Sequence, residues 1–345
     1  MASLMWYLIT CVVVGVIGSL ISSYLPYYLI RRGVRVSKAI KVATLTTGLF
    51  VSLAIVPAIL IPVLLTGLLG LTGLAAVALY LIIQYLITPY VLTVGTEKVR
   101  LGSKYGWVLK LARDVARDAG YSKGFEVRIV NSEVPNAYAV GNVLKRSIVI
   151  HEGLLKVLSR DEVKAVIAHE LGHLAHHDNS YMLATSFTPM LTYLLGLTLL
   201  LTGYVLITEA PKSREEGSGA GLAGLTLVLL GAVVTALAMV LNIAVLAFSR
   251  VREHMADIYS VRTTRNDAIA TALDKIRAAT SNIKVGSTSL VPKLRNMLYI
   301  VPQLSEVAAV GYASFILSTH PPIYLRKYVV RKYLRELSQE VSPQY

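Results

Sequence analysis

The run His169-Glu170-Leu171-Gly172-His173 concentrates the chemistry of this chain. On a helix, residues four apart share one face with their Cβ atoms about 6 Å apart, so two imidazoles have a bite suited to tetrahedral zinc. Glu170 sits one residue round, within reach of a water that the ion would acidify, the H-E-x-x-H arrangement of metallopeptidases. The plainer alternative is a pair of surface histidines. Val163, Val166, Ile167 and Leu174 argue against it by giving the helix an apolar face, and Gly172 admits a neighbouring backbone closely. Cys11 is the single cysteine, so no intramolecular disulfide or Cys-rich zinc site exists, and a metal must be held by His and carboxylates.

A catalytic zinc takes three protein ligands and keeps one position open. Asn179 stands where a third histidine of an extended motif would fall, and His176 stands where that motif needs glycine, so that class fails. The other source is a carboxylate from Ser249-Arg250-Val251-Arg252-Glu253-His254-Met255-Ala256-Asp257, which offers Glu253 and, one helical turn on, Asp257. Asp257 is placed to orient a ligating imidazole through its second ring nitrogen. Ion pairing of both acids with Arg250 and Arg252 is the alternative. His176 and His177 read as surface or supporting histidines, His151 and His254 receive no role, and Asp178 could hold a nearby histidine or arginine.

The elements that must position these groups include a membrane. With 54% hydrophobic and 16% charged residues and a mean hydropathy of +0.60, the chain falls outside ordinary soluble composition, where about a quarter of residues are charged. Charge is absent over 1–30, 42–96, 179–208 and 217–249. A spanning helix needs about 20 residues, so the second run divides at Gly67, Gly70 and Gly73 and about five spans are predicted: 5–29, 44–66, 74–94, 183–207 and 221–247. The first lacks a basic leader and is followed by basic residues, as in an uncleaved anchor. Net charge is +5 over 31–41, +3 over 97–178, −1 over 209–216 and +7 over 250–345, together the whole +14. The positive-inside rule then puts the basic segments, and the motif, in the cytoplasm. Topology and anionic headgroups account for the basic excess better than nucleic acid does, and no nucleic-acid motif is present. The absence of charge within the spans argues against a transporter.

Residues 97–178 read as an α/β unit: a helix over 106–119, strands at Glu126–Val130, from Tyr138 and over 147–150, and a helix over 152–158. Ser159 and Glu162 then form a capping-box pattern that starts the motif helix. That helix is expected to run on through His176, His177 and Asp178. Because the fourth and fifth spans make a hairpin, their cytoplasmic ends should bring Glu253 beside His169 and His173.

Together, HELGH, a membrane hairpin and SRVREHMAD resemble the HtpX family of membrane zinc metalloproteases, relatives of the CAAX prenyl proteases. Pro135-Asn136-Ala137-Tyr138-Ala139-Val140-Gly141 is similar to a family segment that forms an edge strand pairing with extended substrate. Ser318-Thr319-His320-Pro321-Pro322 with Arg326 is similar to its HPP segment. The resemblance covers about 97–330. It implies one zinc ion held by His169, His173 and Glu253, with Glu170 as general base and Asp257 in support. It implies roles for His320 and Arg326 near the transition state, and substrate binding at Asn136, Ala137 and Tyr138. His320 is the favoured oxyanion donor, with Tyr138 as an alternative, and a solvated role is open for Arg326. Typical bacterial members have two spans before the catalytic unit, against three expected here.

The expected architecture is an α-helical integral membrane protein with a cytoplasmic, mainly α (α+β) zincin-like domain. Residues 1–96 form an N-terminal membrane region, 97–180 the catalytic unit, 181–248 the hairpin and 249–345 the rest of the catalytic domain. The expected activity is a zinc endopeptidase of the HExxH-plus-Glu type in a multi-pass cell-membrane protein, acting on membrane or misfolded proteins, with quality control and stress response implied by the family. The competing reading is a non-catalytic scaffold or assembly factor stabilised by zinc.

Overall fold

The computed structural model describes residues 2–66, 68–209, 216–280 and 320–341. The chain starts with α1 (Ala2–Ser22) and α2 (Leu25–Arg31), which meet at a 43° bend within the span expected over 5–29. Pro26 explains the break: it has no N–H to donate, and in a continuous helix its ring would strike the carbonyl four residues back. Next, α3 (Val36–Thr66) starts well before the predicted 44. The Val36 N–H donates to both carboxylate oxygens of Glu336, at 2.9 and 3.2 Å, so an acid from the last helix stabilises this N-terminus and draws the basic run into the helix. The turn expected at Gly67, Gly70 and Gly73 is corrected: Gly67 lies outside the described residues, but Gly70 and Gly73 lie inside α4 (Leu68–Leu92), where isolated glycines among leucines and alanines are tolerated at a cost of about 1 kcal/mol each.

Strands β1 (Glu97–Lys98), β2 (Glu126–Val130), β3 (Ala137–Gly141) and β4 (Arg146–His151) form one sheet in the order β1-β2-β4-β3, with β2 and β4 parallel and β3 antiparallel to β4. Thus β3 is an edge strand. One helix, α5 (Gly106–Asp118), precedes β2, and α6 (Glu152–Val157) leads from β4 to α7 (Arg160–Ala175). A common apolar core includes Val108 and Ala112 of α5, Ile148 and Ile150 of β4, Ile167 and Leu171 of α7, Ile269 of α10 (Ala268–Thr280), and Val329 and Val330 of α11 (Ile323–Val341).

From the core the chain enters α8 (Asp178–Thr208) and returns along α9 (Glu216–Thr264). Glycines let these two helices touch: a Cβ on Gly196 would meet Thr235 N at 2.7 Å, and one on Gly203 would meet Gly224 O at 2.6 Å. With 49 residues, α9 is about 74 Å long, over twice the bilayer's hydrocarbon thickness of about 30 Å. The second half therefore projects from the hairpin and packs on α7. There a Cβ on Gly172 would meet Ala256 Cα at 3.2 Å and Tyr259 Cβ at 3.1 Å, and the Ser260 hydroxyl donates to the Ala165 carbonyl at 2.7 Å. Among the described residues three helices are long and apolar enough to cross a membrane, Val36–Ala58, Thr188–Thr208 and Gly219–Thr264, or four with the bent N-terminal pair.

Widening Gly172 must push α7 and α9 apart. Gly172→Val is expected to destabilise the protein by about 1–3 kcal/mol, read as a lowered thermal midpoint in detergent, with weakened metal binding.

Candidate metal centre

The motif helix starts as its sequence dictates. Ser159 accepts from the Glu162 N–H at 3.4 Å, and Glu162 accepts from the Ser159 N–H at 2.8 Å. Lys275 of α10 also donates to Glu162, at 2.8 Å. Four residues apart, His169 and His173 present their rings edge to face, with Nε2 atoms 3.2 Å apart. Glu253, carried back by α9, lies with Oε2 3.6 Å from His169 Nε2 and Oε1 3.6 Å from His173 Nε2.

These separations suit a metal. Two donors at about 2.05 Å from a tetrahedral zinc stand about 3.3 Å apart, and the three side chains offer ligand atoms all within 4.8 Å of one another. Formal charge points the same way. The buried acids Glu170, Asp178, Glu253 and Asp257 face two buried arginines, Arg252 and Arg326, a deficit that a dication would cancel.

Each imidazole is held from behind. Asp257 Oδ1 lies 3.1 Å from His169 Nδ1, as its spacing from Glu253 suggested, and Arg326 grips both Asp257 oxygens, at 2.8 and 2.6 Å. Asp178 Oδ2 lies 2.7 Å from His173 Nδ1. The other Asp178 oxygen accepts from Arg252, which also donates to the His176 carbonyl at 2.8 Å. Asp178, which the sequence offered as a partner for a nearby histidine or arginine, thus holds one of each, while Arg252, offered as a partner for Glu253 or Asp257, pairs with Asp178 instead.

The expectation of a helix continuing through Asp178 is corrected here. α7 ends at Ala175, His177 takes a left-handed φ of 57°, and α8 starts at Asp178. In an unbroken helix a residue five positions after His173 would point about 140° away from it; the strained turn is what returns Asp178 to the imidazole.

Glu170 is buried at the site, and its charge is felt by both His173 and Arg326. His320 is 60% exposed, with Nδ1 3.0 Å from Glu253 Oε2; Ser318 and Thr319 of its segment lie outside the described residues. Arg326 is buried, also 3.2 Å from Glu253 Oε2, which removes the solvated reading. Tyr138 spends its hydroxyl on the Leu92 carbonyl at 2.9 Å, which corrects its nomination as an oxyanion donor. Asn136 accepts from the His151 N–H through its carbonyl, at 2.9 Å, and Ala137 opens β3. At the far end of β3, Gly141, Asn142 and Arg146 share a small cavity with His173 and His177. Asn142 donates to the Tyr85 carbonyl at 2.8 Å. That carbonyl loses its helical partner because Pro89 has no N–H, so the apolar helix α4 is tied to the sheet's edge.

Burial pushes the His169 pKa down, but its contacts with Asp257 and Glu253 outweigh this and raise it to about 9. For His173 burial dominates and the shift is downward, reinforced by His169. His176, half-buried and near Arg252, is pushed down to about 4 by desolvation and then by that charge. Without a metal, His169 is thus the ligand imidazole that keeps its proton.

A family model described as Peptidase family M48 matches residues 103–333. The chain is 31% identical over 283 residues to a protease HtpX homolog of Aeropyrum pernix, covering 76% of this chain and 85% of that one. It is 36% identical over 205 residues to a protease HtpX homolog of Thermoplasma acidophilum, covering 58% of this chain and 60% of the relative. A crystal structure of S. mikatae Ste24p aligns with a TM-score of 0.39 at 16% identity, over 84% of this chain and 66% of that one, a likeness too slight to carry an argument.

Two outcomes follow from this geometry. A metal must displace the His169 proton, so metal affinity should rise about tenfold per pH unit from pH 7 and level off near 9, measured by competition with a chromophoric chelator. Asp178→Asn should weaken metal binding about 10–100-fold in the same assay.

Proposed function

Since the chain belongs to peptidase family M48 and is a membrane metalloprotease, we propose that it is a zinc-dependent endopeptidase in which His169, His173 and Glu253 hold one ion and Glu170 is the general base. The observation that carries this reading is the convergence of Glu253 on the two histidines with Glu170 one residue round the same helix. When bound, zinc supplies Lewis acidity that acidifies water and polarises a carbonyl.

The chain's own groups do the rest. Glu170 takes the proton of the attacking water and delivers it to the leaving amine. His320, whose exposure leaves it accessible to substrate, donates to the oxyanion as it develops. Arg326, pinned between Asp257 and Glu253, holds a ligand carboxylate and the support of a ligand imidazole in one frame. Asn136, Ala137 and Tyr138 lie at the start of the edge strand, where an extended substrate segment adds by main-chain pairing. Such pairing reads backbone shape, which fits membrane or misfolded proteins as substrates and a role in quality control.

We place the site at the cytoplasmic face of a cell-membrane protein with about five spans. The reading rests on the +5 and +7 charges of the segments flanking the apolar runs. A scaffold using structural zinc normally has four protein ligands; among the described residues the donor cluster has three members, which favours an open, catalytic corner.

Glu170→Gln should lower hydrolysis of an unfolded protein by at least about 10²–10⁴-fold while zinc content stays at that of the native sequence, measured on the same purified samples. Undiminished cleavage by the variant would overturn the proposal.

A further inference from the structure

The matched family region starts at residue 103, yet a group from far upstream reaches the metal-ligand network. Tyr27, on α2, directs its hydroxyl to Nε2 of His254, and the two rings meet edge to face with centroids 5.4 Å apart. His254 follows the ligand Glu253 and is almost wholly buried. Its other nitrogen, Nδ1, faces Asp257 Oδ2 at 3.9 Å, and Asp257 Oδ1 lies 3.1 Å from His169 Nδ1. From this series of contacts we propose that Tyr27 is a positioning residue for the metal site, acting through His254 and Asp257 on His169; the inference rests on the reading of His169 as a ligand.

The argument is one of donors and acceptors. A tyrosine hydroxyl can donate or accept, but the Asp257 carboxylate facing Nδ1 favours the ring proton on that nitrogen, which leaves Nε2 of His254 to accept from Tyr27. A carboxylate only accepts. By donating to Nε2, Tyr27 stabilises the tautomer that turns an N–H toward Asp257, whereas the other tautomer would turn a lone pair toward it. At 3.9 Å the contact is longer than a hydrogen bond, but in a buried site it still acts on the charge that Asp257 offers to His169. Supports of this kind tune how basic a ligating imidazole is. Arg326 fastens Asp257 from one side, and His254 faces it from another. The N-terminal membrane region thus enters the electrostatics of the site as well as anchoring it.

The test uses the full chain purified in detergent, stripped of metal and titrated with cobalt(II), whose visible bands report ligand geometry. Y27F should raise the cobalt Kd about tenfold and shift the bands, while Y24F, which removes a neighbouring hydroxyl, should stay within about twofold of the native sequence. H254N keeps a donor facing Asp257 without needing the hydroxyl and should bind within about threefold, whereas H254L should lose about tenfold. An unchanged Y27F, an equal loss in Y24F, or an equal loss in H254N and H254L would each overturn the assignment, and the His254 pair decides the matter if Y27F does not accumulate. A native chain that binds no cobalt would overturn the metal-site reading itself, a result distinct from these.

Discussion

The structure depends on two imidazoles, His169 buried and His173 partly buried, that must keep one orientation while surrounded by charge. Each is backed by an aspartate that is itself gripped by an arginine: His173 by Asp178 and Arg252, His169 by Asp257 and Arg326. Removing such groups from water is costly unless every one is paired. Pairing therefore dictates where the chain goes. The left-handed turn at His177 exists to return Asp178 to His173, and the close approach at Gly172 brings α9 near enough for Glu253 and Asp257 to serve His169.

The same constraint explains the use of a hairpin of long apolar helices to assemble the site. Two of the three proposed ligands and the third are separated by the entire α8–α9 hairpin, whose glycine contacts fix how its ends meet. The projecting half of α9 is then a rigid arm. It carries Glu253 to both histidines, Arg252 to the aspartate behind His173 and Asp257 to His169, and its buried face also receives Tyr27 of α2. Across the sheet, Asn142 ties the turn between β3 and β4 to α4 through a carbonyl that Pro89 leaves without a helical partner. Anchor and catalytic unit are therefore joined through polar contacts at several places.

Local order was readable in the sequence: the capping box at Ser159 and Glu162, the strand Glu126–Val130, and the facing of His169 and His173 all follow from short-range rules. Glu253 was readable at longer range because two apolar runs forced a hairpin and a hairpin has neighbouring ends. The break at His177 was not, since nothing in the polar run from His176 to Asn179 forbids a helix, and only the demand of His173 for an acceptor does. The bend before Pro26 and the early start of α3 were likewise missed. Apolar content locates a span but not its ends, and Glu336, which stabilises the start of α3, lies 300 residues away. The burial of Arg326 shows the same limit: its basic neighbours looked like a solvated face, and two acids on another helix decided otherwise.

The central claim is that an acid from α9 completes a site begun by two histidines of α7. X-ray absorption at the zinc edge, on the full chain in detergent, tests it most directly. The account predicts one zinc per chain with two imidazole nitrogens and an oxygen shell at about 2.0 Å, and loss of a carboxylate contribution in Glu253→Ala. A spectrum that Glu253→Ala leaves unchanged, or one fitted by four protein ligands, would contradict it.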